Sequence, residues 1–115
     1  MGQHPMIDVK HLNQYVAGDQ ALRDEILSIY EEQVEAWVSM LDPDADDIAW
    51  RDAAHALKGA SRGVGAWKLG ELCESAEDMI NGKSSRELRM QILEAVRAAV
   101  QETINDVRRL RSVAA

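Results

Sequence analysis

The sequence predicts an all-α fold: an up-down-up-down four-helix bundle with a short extra helix at its N-terminus. Three observations carry this. Apolar residues recur at steps of three and four over long windows. No stretch alternates polar and apolar residues, and no Val/Ile/Thr-rich run is bounded by turn residues. The two prolines and seven glycines punctuate the chain at a few places, leaving long amphipathic segments joined by short loops, the pattern of antiparallel neighbours in a bundle.

The first, short helix is expected from about Ile7 to Val16, with Asp8 as N-cap and Ala17-Gly18 as its end, because Gly tolerates the left-handed turn. Asp19 then caps a long helix ending near Leu41, whose inward stripe is read as Leu22, Ile26, Ile29, Val34, Trp37, Val38 and Leu41. Asp42-Pro43-Asp44 breaks it. The third helix is expected from Asp46 to Arg62, closed by Gly63-Val64-Gly65, and the fourth from Ala66 or Trp67 to Ile80, with Leu69, Leu72, Cys73, Ala76 and Ile80 inward. After the turn Asn81-Gly82-Lys83-Ser84, Ser85 caps a last helix reaching about Leu110, with Leu88, Ile92, Val96, Val100, Thr103, Val107 and Leu110 as its stripe. Arg108, Arg109 and Arg111 suit the negative end of its dipole.

A length of 115 residues fits one domain, 1–115, with residues 1–6 a loose lead-in and 111–115 a frayed tail. With 13 Lys+Arg and 20 Asp+Glu the formal charge is −7, which argues against nucleic acid or an anionic membrane as partner. A single cysteine, Cys73, excludes an internal disulfide and a Cys-based zinc site. No apolar run approaches the ~20 residues of a spanning helix, and the start Met1-Gly2-Gln3-His4-Pro5 lacks an apolar signal-peptide core. A small, acidic, cytoplasmic monomer is expected.

One histidine faces the wrong way for a core residue. On a wheel of about 100° per residue, Leu57, Ala53, Ala60 and Val64 lie within roughly 40° of the pole opposite His55. Trp50 and Ser61 flank that inward stripe. His55 points outward, and Ile48, Arg51, Asp52, Lys58, Gly59 and Arg62 share its face. Gly59 sits mid-helix, where Gly costs about 1 kcal/mol relative to Ala; the core does not need it there, and it lets another surface approach the helix. The cations Arg51, Lys58 and Arg62 favour a neutral ring, whose lone pair is a nucleophile, and would neutralise a phosphoryl group once attached.

His55-Ala56-Leu57-Lys58-Gly59-Ala60-Ser61, followed by Val64-Gly65-Ala66 and then Leu69 and Leu72, resembles the histidine-containing phosphotransfer (HPt) domain family. Ala17-Gly18-Asp19 with Leu22 and Ile26 is similar to the family's Gly-Asp turn into its second helix. The resemblance implies that His55 accepts a phosphoryl group from one receiver domain's aspartyl phosphate and passes it to another's aspartate. The receivers would be those of response regulators and of a hybrid histidine kinase. It implies that Lys58 interacts with the phosphoryl oxygens, that Gly59 leaves room for the receiver's loops, and that Glu77 can accept a hydrogen bond from Nδ1–H, leaving Nε2 as nucleophile. Ile7, Val9, Ile48, Ala56 and Lys68 are rim candidates for docking, alongside Arg51, Asp52 and Arg62.

No phosphate-cradling glycine loop and no metal-holding acid cluster accompanies His55. No cofactor is expected on this chain; Mg²⁺ and the acceptor aspartate would come from the receiver. His4 and His11 lack a partner ligand at i+4, and Asp42, Asp44, Asp46 and Asp47 lack the Gly and closing Glu of a calcium loop. Trp37, Trp50, Trp67 and Cys73 are read as packing. Two alternatives differ in class. A histidine kinase's dimerisation domain typically has an acid directly after its His, where this chain has Ala56. A bundle that docks a receiver or kinase without being phosphorylated would not need the His55, Lys58 and Gly59 set.

Overall fold

The structure, a computed structural model, describes residues 6–112. His4 and the ends of the expected loose segments, 1–5 and 113–115, lie outside the described residues. Five helices follow one another: α1 (Val9–Tyr15), α2 (Gln20–Ser39), α3 (Asp47–Gly63), α4 (Trp67–Glu77) and α5 (Arg86–Ser112), with no strand among the described residues. α2 packs on α3, α3 on α4, α4 on α5 and α5 on α2, which closes an antiparallel four-helix ring; α1 packs on α2 outside it. No helix of the described residues is long and apolar enough to cross a membrane.

The helix starts follow side-chain capping. Asp8, Asp19 and Asp46 each accept a backbone N–H three residues on, from His11, Leu22 and Ala49, and Ser85 accepts from Leu88. Ala17 (φ 53°) and Gly18 (φ 77°) turn the chain between α1 and α2. Gly65 (φ 80°) is required twice over: its backbone is left-handed, and a Cβ there would lie 3.0 Å from the Asp8 carbonyl oxygen. That close approach lets the Asp8 amide donate to the Gly65 carbonyl at 2.9 Å, clipping the N-terminal segment onto the α3–α4 turn.

The stripe of α2 is rotated from the one the sequence suggested. Leu27, Tyr30, Val34 and Val38 are buried, while Leu22 and Ile29 are exposed and Ile26 and Trp37 only half-buried. The adjacent apolar pairs Ile26-Leu27 and Ile29-Tyr30 offer two parallel rows. The inner row wins because it brings the Tyr30 hydroxyl 3.0 Å from that of Ser61 on α3, so two buried hydroxyls satisfy each other. Burial pushes Tyr30 up from 10.0 to about 12. On α5, Leu88 is exposed and Arg89 is buried instead, ahead of Leu93, Val96, Val100, Thr103, Ile104 and Val107. The Arg89 guanidinium lies 4.8 Å from the Trp50 ring centre and donates to the Met79 and Ala45 carbonyls and to Asp47. α4 also ends at Glu77, before the expected Ile80, and Asn81 (φ 57°) and Gly82 (φ 78°) make the turn that follows.

Trp50 is fully buried and its indole N–H donates to the Ala76 carbonyl at 2.7 Å, joining α3 to the end of α4. Trp67, read as packing, is 42% exposed: its N–H donates to Asp8 and His11 meets its ring edge-on. Cys73 is buried, and burial raises its thiol from 9.0 to about 12. Met6 and Arg111, expected in loose ends, take part in the fold. The Met6 and Ile7 amides donate to the buried Asp106 carboxylate, and Arg111 continues α5 and pairs with Glu31.

Candidate functional site

α3 sets the site. Trp50, Ala53, Ala54, Leu57 and Ser61 face the core, so helical geometry turns His55 to the opposite side. Its side chain is 68% exposed. α4 runs alongside and places Glu77 against it. One carboxylate oxygen of Glu77 lies 2.8 Å from His55 Nδ1; the other accepts from Lys58 Nζ at 2.5 Å. Desolvation by partial burial works against the Glu77 charge, but the hydrogen bonds from Lys58 and His55 outweigh it and hold the carboxyl below the usual carboxylate range. An ionised carboxylate only accepts, so Nδ1 carries the proton. In the neutral ring Nε2 then holds the lone pair, and it makes no hydrogen bond within the described residues.

The three cations around His55 are not a free collar. Arg51 pairs with Asp52 at 3.5 Å, Lys58 with Glu77, and Arg62 with Glu74 at 2.9 Å. Each of the three has a carboxylate partner, and Glu77 sets which ring nitrogen carries the proton. Lys58 is 16% exposed at its side chain, lying along the surface within one turn of His55.

Gly59 is exposed, and a Cβ built there meets nothing within 4 Å. The bundle itself has no steric need for glycine at this position, in keeping with an approach from outside. Ile48 (63% exposed), Asp52 and Ala56 stand on the same open face. The other rim candidates do not gather there. Ile7 is 1% exposed, because the Asp106 tether draws it into the core. Val9 is half-buried and Lys68 opens α4, nine residues and about 13 Å of helix from Glu77. All three line a separate cavity of about 840 Å³ with Met6, Gly65 and Asp106.

Glu74 and Gly70 were missed as site residues. A Cβ on Gly70 would lie 2.9 Å from Arg62 Cγ, so the Arg62 stem crosses bare α4 backbone on its way to Glu74. The signal was present: Gly70, Glu74 and Glu77 step by four and three along one face of α4. The aspartates of the α2–α3 connection and the first residue of α3 all have structural work. Asp42 accepts the Asp44 amide, Asp44 pairs with Arg86, Asp46 caps α3 and Asp47 pairs with Arg89. Among the described residues no group of three or more His, Cys, Asp or Glu side chains is placed to hold a metal.

Residues 17–109 match the family model of the Hpt domain. The chain belongs to the Hpt-domain family. Among solved structures it is similar to the histidine phosphotransferase ShpA from Caulobacter crescentus, with 39% identity, 94% of this chain and 98% of that chain covered, and a TM-score of 0.70. No curated protein sequence matches it. Family and structural neighbour together support a phosphotransfer role in two-component signalling for this Hpt domain.

Proposed function

We propose that this chain works as a single Hpt domain and relays a phosphoryl group between receiver domains through His55. His55 Nε2 takes the group from an aspartyl phosphate on one receiver, and a second receiver's aspartate takes it from His55. One of the receivers is that of a hybrid histidine kinase. The observation that carries this is the exposed imidazole whose Nδ1 is held by Glu77, which leaves Nε2 as the outward nucleophile. Glu77 positions the ring. Lys58, one turn on, engages the phosphoryl oxygens once they arrive, and Gly59 leaves the surface low enough for a receiver loop. Ile48, Arg51, Asp52, Ala56 and Arg62 form the rim on which the receiver docks.

Chemically this is half of an active site. The receiver supplies the aspartate and Mg²⁺, and the Hpt domain supplies a positioned nucleophile and local charge balance. The domain works as a monomer in the cytoplasm, and its acidic surface suits neither nucleic acid nor an anionic membrane. The test is label transfer from a panel of phosphorylated receivers to the wild type and to His55→Gln. Acid-labile, base-stable label on the wild type alone is the expected result. Receiver binding without label on the wild type would leave a docking-only bundle as the function.

A further inference from the structure

Holding a ring in place needs only a hydrogen-bond acceptor. The acceptor on His55 Nδ1 is a full carboxylate, and its second oxygen is neutralised by Lys58. We propose that Glu77 keeps Nδ1 protonated after Nε2 has been phosphorylated, so that the phosphoryl group departs from an imidazolium and leaves neutral imidazole behind. This deepens, and rests on, the assignment of His55 as the phosphoacceptor.

The bonds balance as follows. On loading, the Nε2 lone pair attacks phosphorus, the P–O bond to the donor aspartate breaks, and its electron pair stays on that carboxylate. Nδ1 keeps its hydrogen, so the ring becomes cationic. On unloading, a carboxylate oxygen of the acceptor receiver attacks phosphorus and the Nε2–P bond breaks. Its electron pair returns to Nε2 and neutralises the ring. No proton moves in either step. Had Nδ1 lost its proton beforehand, the departing group would be imidazolate, a far poorer leaving group.

An ordinary imidazole loses its proton near about pH 6.5, so an unassisted phosphoimidazole would be largely deprotonated in a neutral cytoplasm. A carboxylate in direct contact with Nδ1–H favours the cationic ring. Glu77 is 19% exposed at its side chain and the ring it holds is 68% exposed, so the contact is partly screened by solvent, and its 2.8 Å direct hydrogen bond is what favours the charged ring. The other charged groups facing His55 offset one another: on α3, Arg51 pairs with Asp52, and across the interface Arg62 pairs with Glu74 of α4. Lys58 neutralises the far oxygen of Glu77 and discourages its protonation. That leaves Glu77 as the one group bonded to the ring and ionised through the neutral range. Glu77 is thus a positioning residue for a proton as well as for a ring.

The test uses the full chain and its Glu77→Gln variant, each loaded with radiolabelled phosphate from phosphoramidate and mixed with a receiver and Mg²⁺ at about pH 6.5 and 8.5. Gln keeps the shape and the acceptor but removes the charge. The ratio of wild-type to variant transfer rate cancels the receiver's own pH dependence. That ratio should rise about fiftyfold over this interval, as protonated ring is lost from the variant alone, from about half at pH 6.5 to about a hundredth at pH 8.5. A ratio that stays constant is the outcome of ring orientation only and overturns the proposal. So does a folded variant that cannot be loaded while the wild type can, since Glu77 would then act on capture. A wild type that takes no label at His55 would instead defeat the phosphotransfer assignment itself. A second measurement needs no variant: in the phosphorylated wild type, ¹⁵N chemical shifts should show Nδ1 protonated up to about pH 8.5, and deprotonation near the ordinary imidazole value overturns the proposal.

Discussion

Arg89→Met is expected to destabilise the bundle by about 3 kcal/mol, although nothing at that position contacts the candidate site. Arg89 is 8% exposed. Its Nη1 donates to the Ala45 carbonyl at 2.9 Å, its Nε and Nη2 donate to the Met79 carbonyl at 3.2 and 2.9 Å, and its guanidinium lies 4.8 Å from the Trp50 ring centre. One side chain on α5 therefore holds the start of α3 and the end of α4. Met fills much of the same volume and removes every donor. Two carbonyls then lose charged donors, at roughly 1–3 kcal/mol each, and the ring loses a cation–π contact of roughly 0.5–2 kcal/mol. Release of a desolvated guanidinium offsets part of that sum. Asp47 adds nothing to it, because its carboxylate is half exposed and still accepts the Asn81 amide. Urea titration followed by tryptophan fluorescence and far-UV circular dichroism reads the change, and Tm should fall by about 12 °C. Because the guanidinium is buried, 0.5 M salt should barely alter the loss. A loss below about 1 kcal/mol would mean that water replaces the guanidinium at both carbonyls, and the clamp argument would fail.

Gly65→Ala should cost about 2 kcal/mol in thermal unfolding, since it strains a residue at φ 80° and presses on Asp8; a change under 0.5 kcal/mol would refute the close-approach account. Gly59→Glu should leave Tm nearly unchanged, because no atom lies within 4 Å of the new Cβ, yet weaken receiver binding at least tenfold by calorimetry; undiminished binding would remove Gly59 from the docking face. Alkali should destabilise the fold. Tyr30 and Cys73 are raised to about 12 in the bundle, from 10.0 and 9.0, so the stability they contribute is complete below pH 9 and is lost as pH rises toward 12. Acid should act through Glu77 with the opposite sign. Its folded value is depressed, so its contribution is present above the ordinary carboxylate range and lost as pH falls below it. Stability unchanged between pH 8 and 11 would contradict the alkaline half.

Helix existence and the outward face of α3 were legible because each rests on local information: capping aspartates, glycine turns, and the one-sided set Ala53, Leu57 and Ser61. What failed was register within ambiguous stripes. On α2 two adjacent apolar rows satisfy the same periodicity, and only the Tyr30–Ser61 contact, 31 positions apart, selects between them. Arg89 was invisible for a similar reason. A cation reads as surface until three carbonyl and carboxylate partners and an indole face are brought together around it. At the site, the His55, Lys58 and Gly59 spacing lies within one helix and could be read directly. The pairing of Lys58 with Glu77, rather than with open solvent, depends on how α4 crosses α3. Ile7 was misplaced because its burial comes from a tether to Asp106 at the far end of the chain.

The most direct test of the relay is a reconstituted transfer between two receivers. A phosphorylated donor receiver, an unphosphorylated acceptor receiver and Mg²⁺ would be mixed with no Hpt domain, with the wild type, or with His55→Gln. The account predicts that label reaches the acceptor only with the wild type, passing through an acid-labile species on this chain. Label on the acceptor with His55→Gln at the wild-type rate would contradict it.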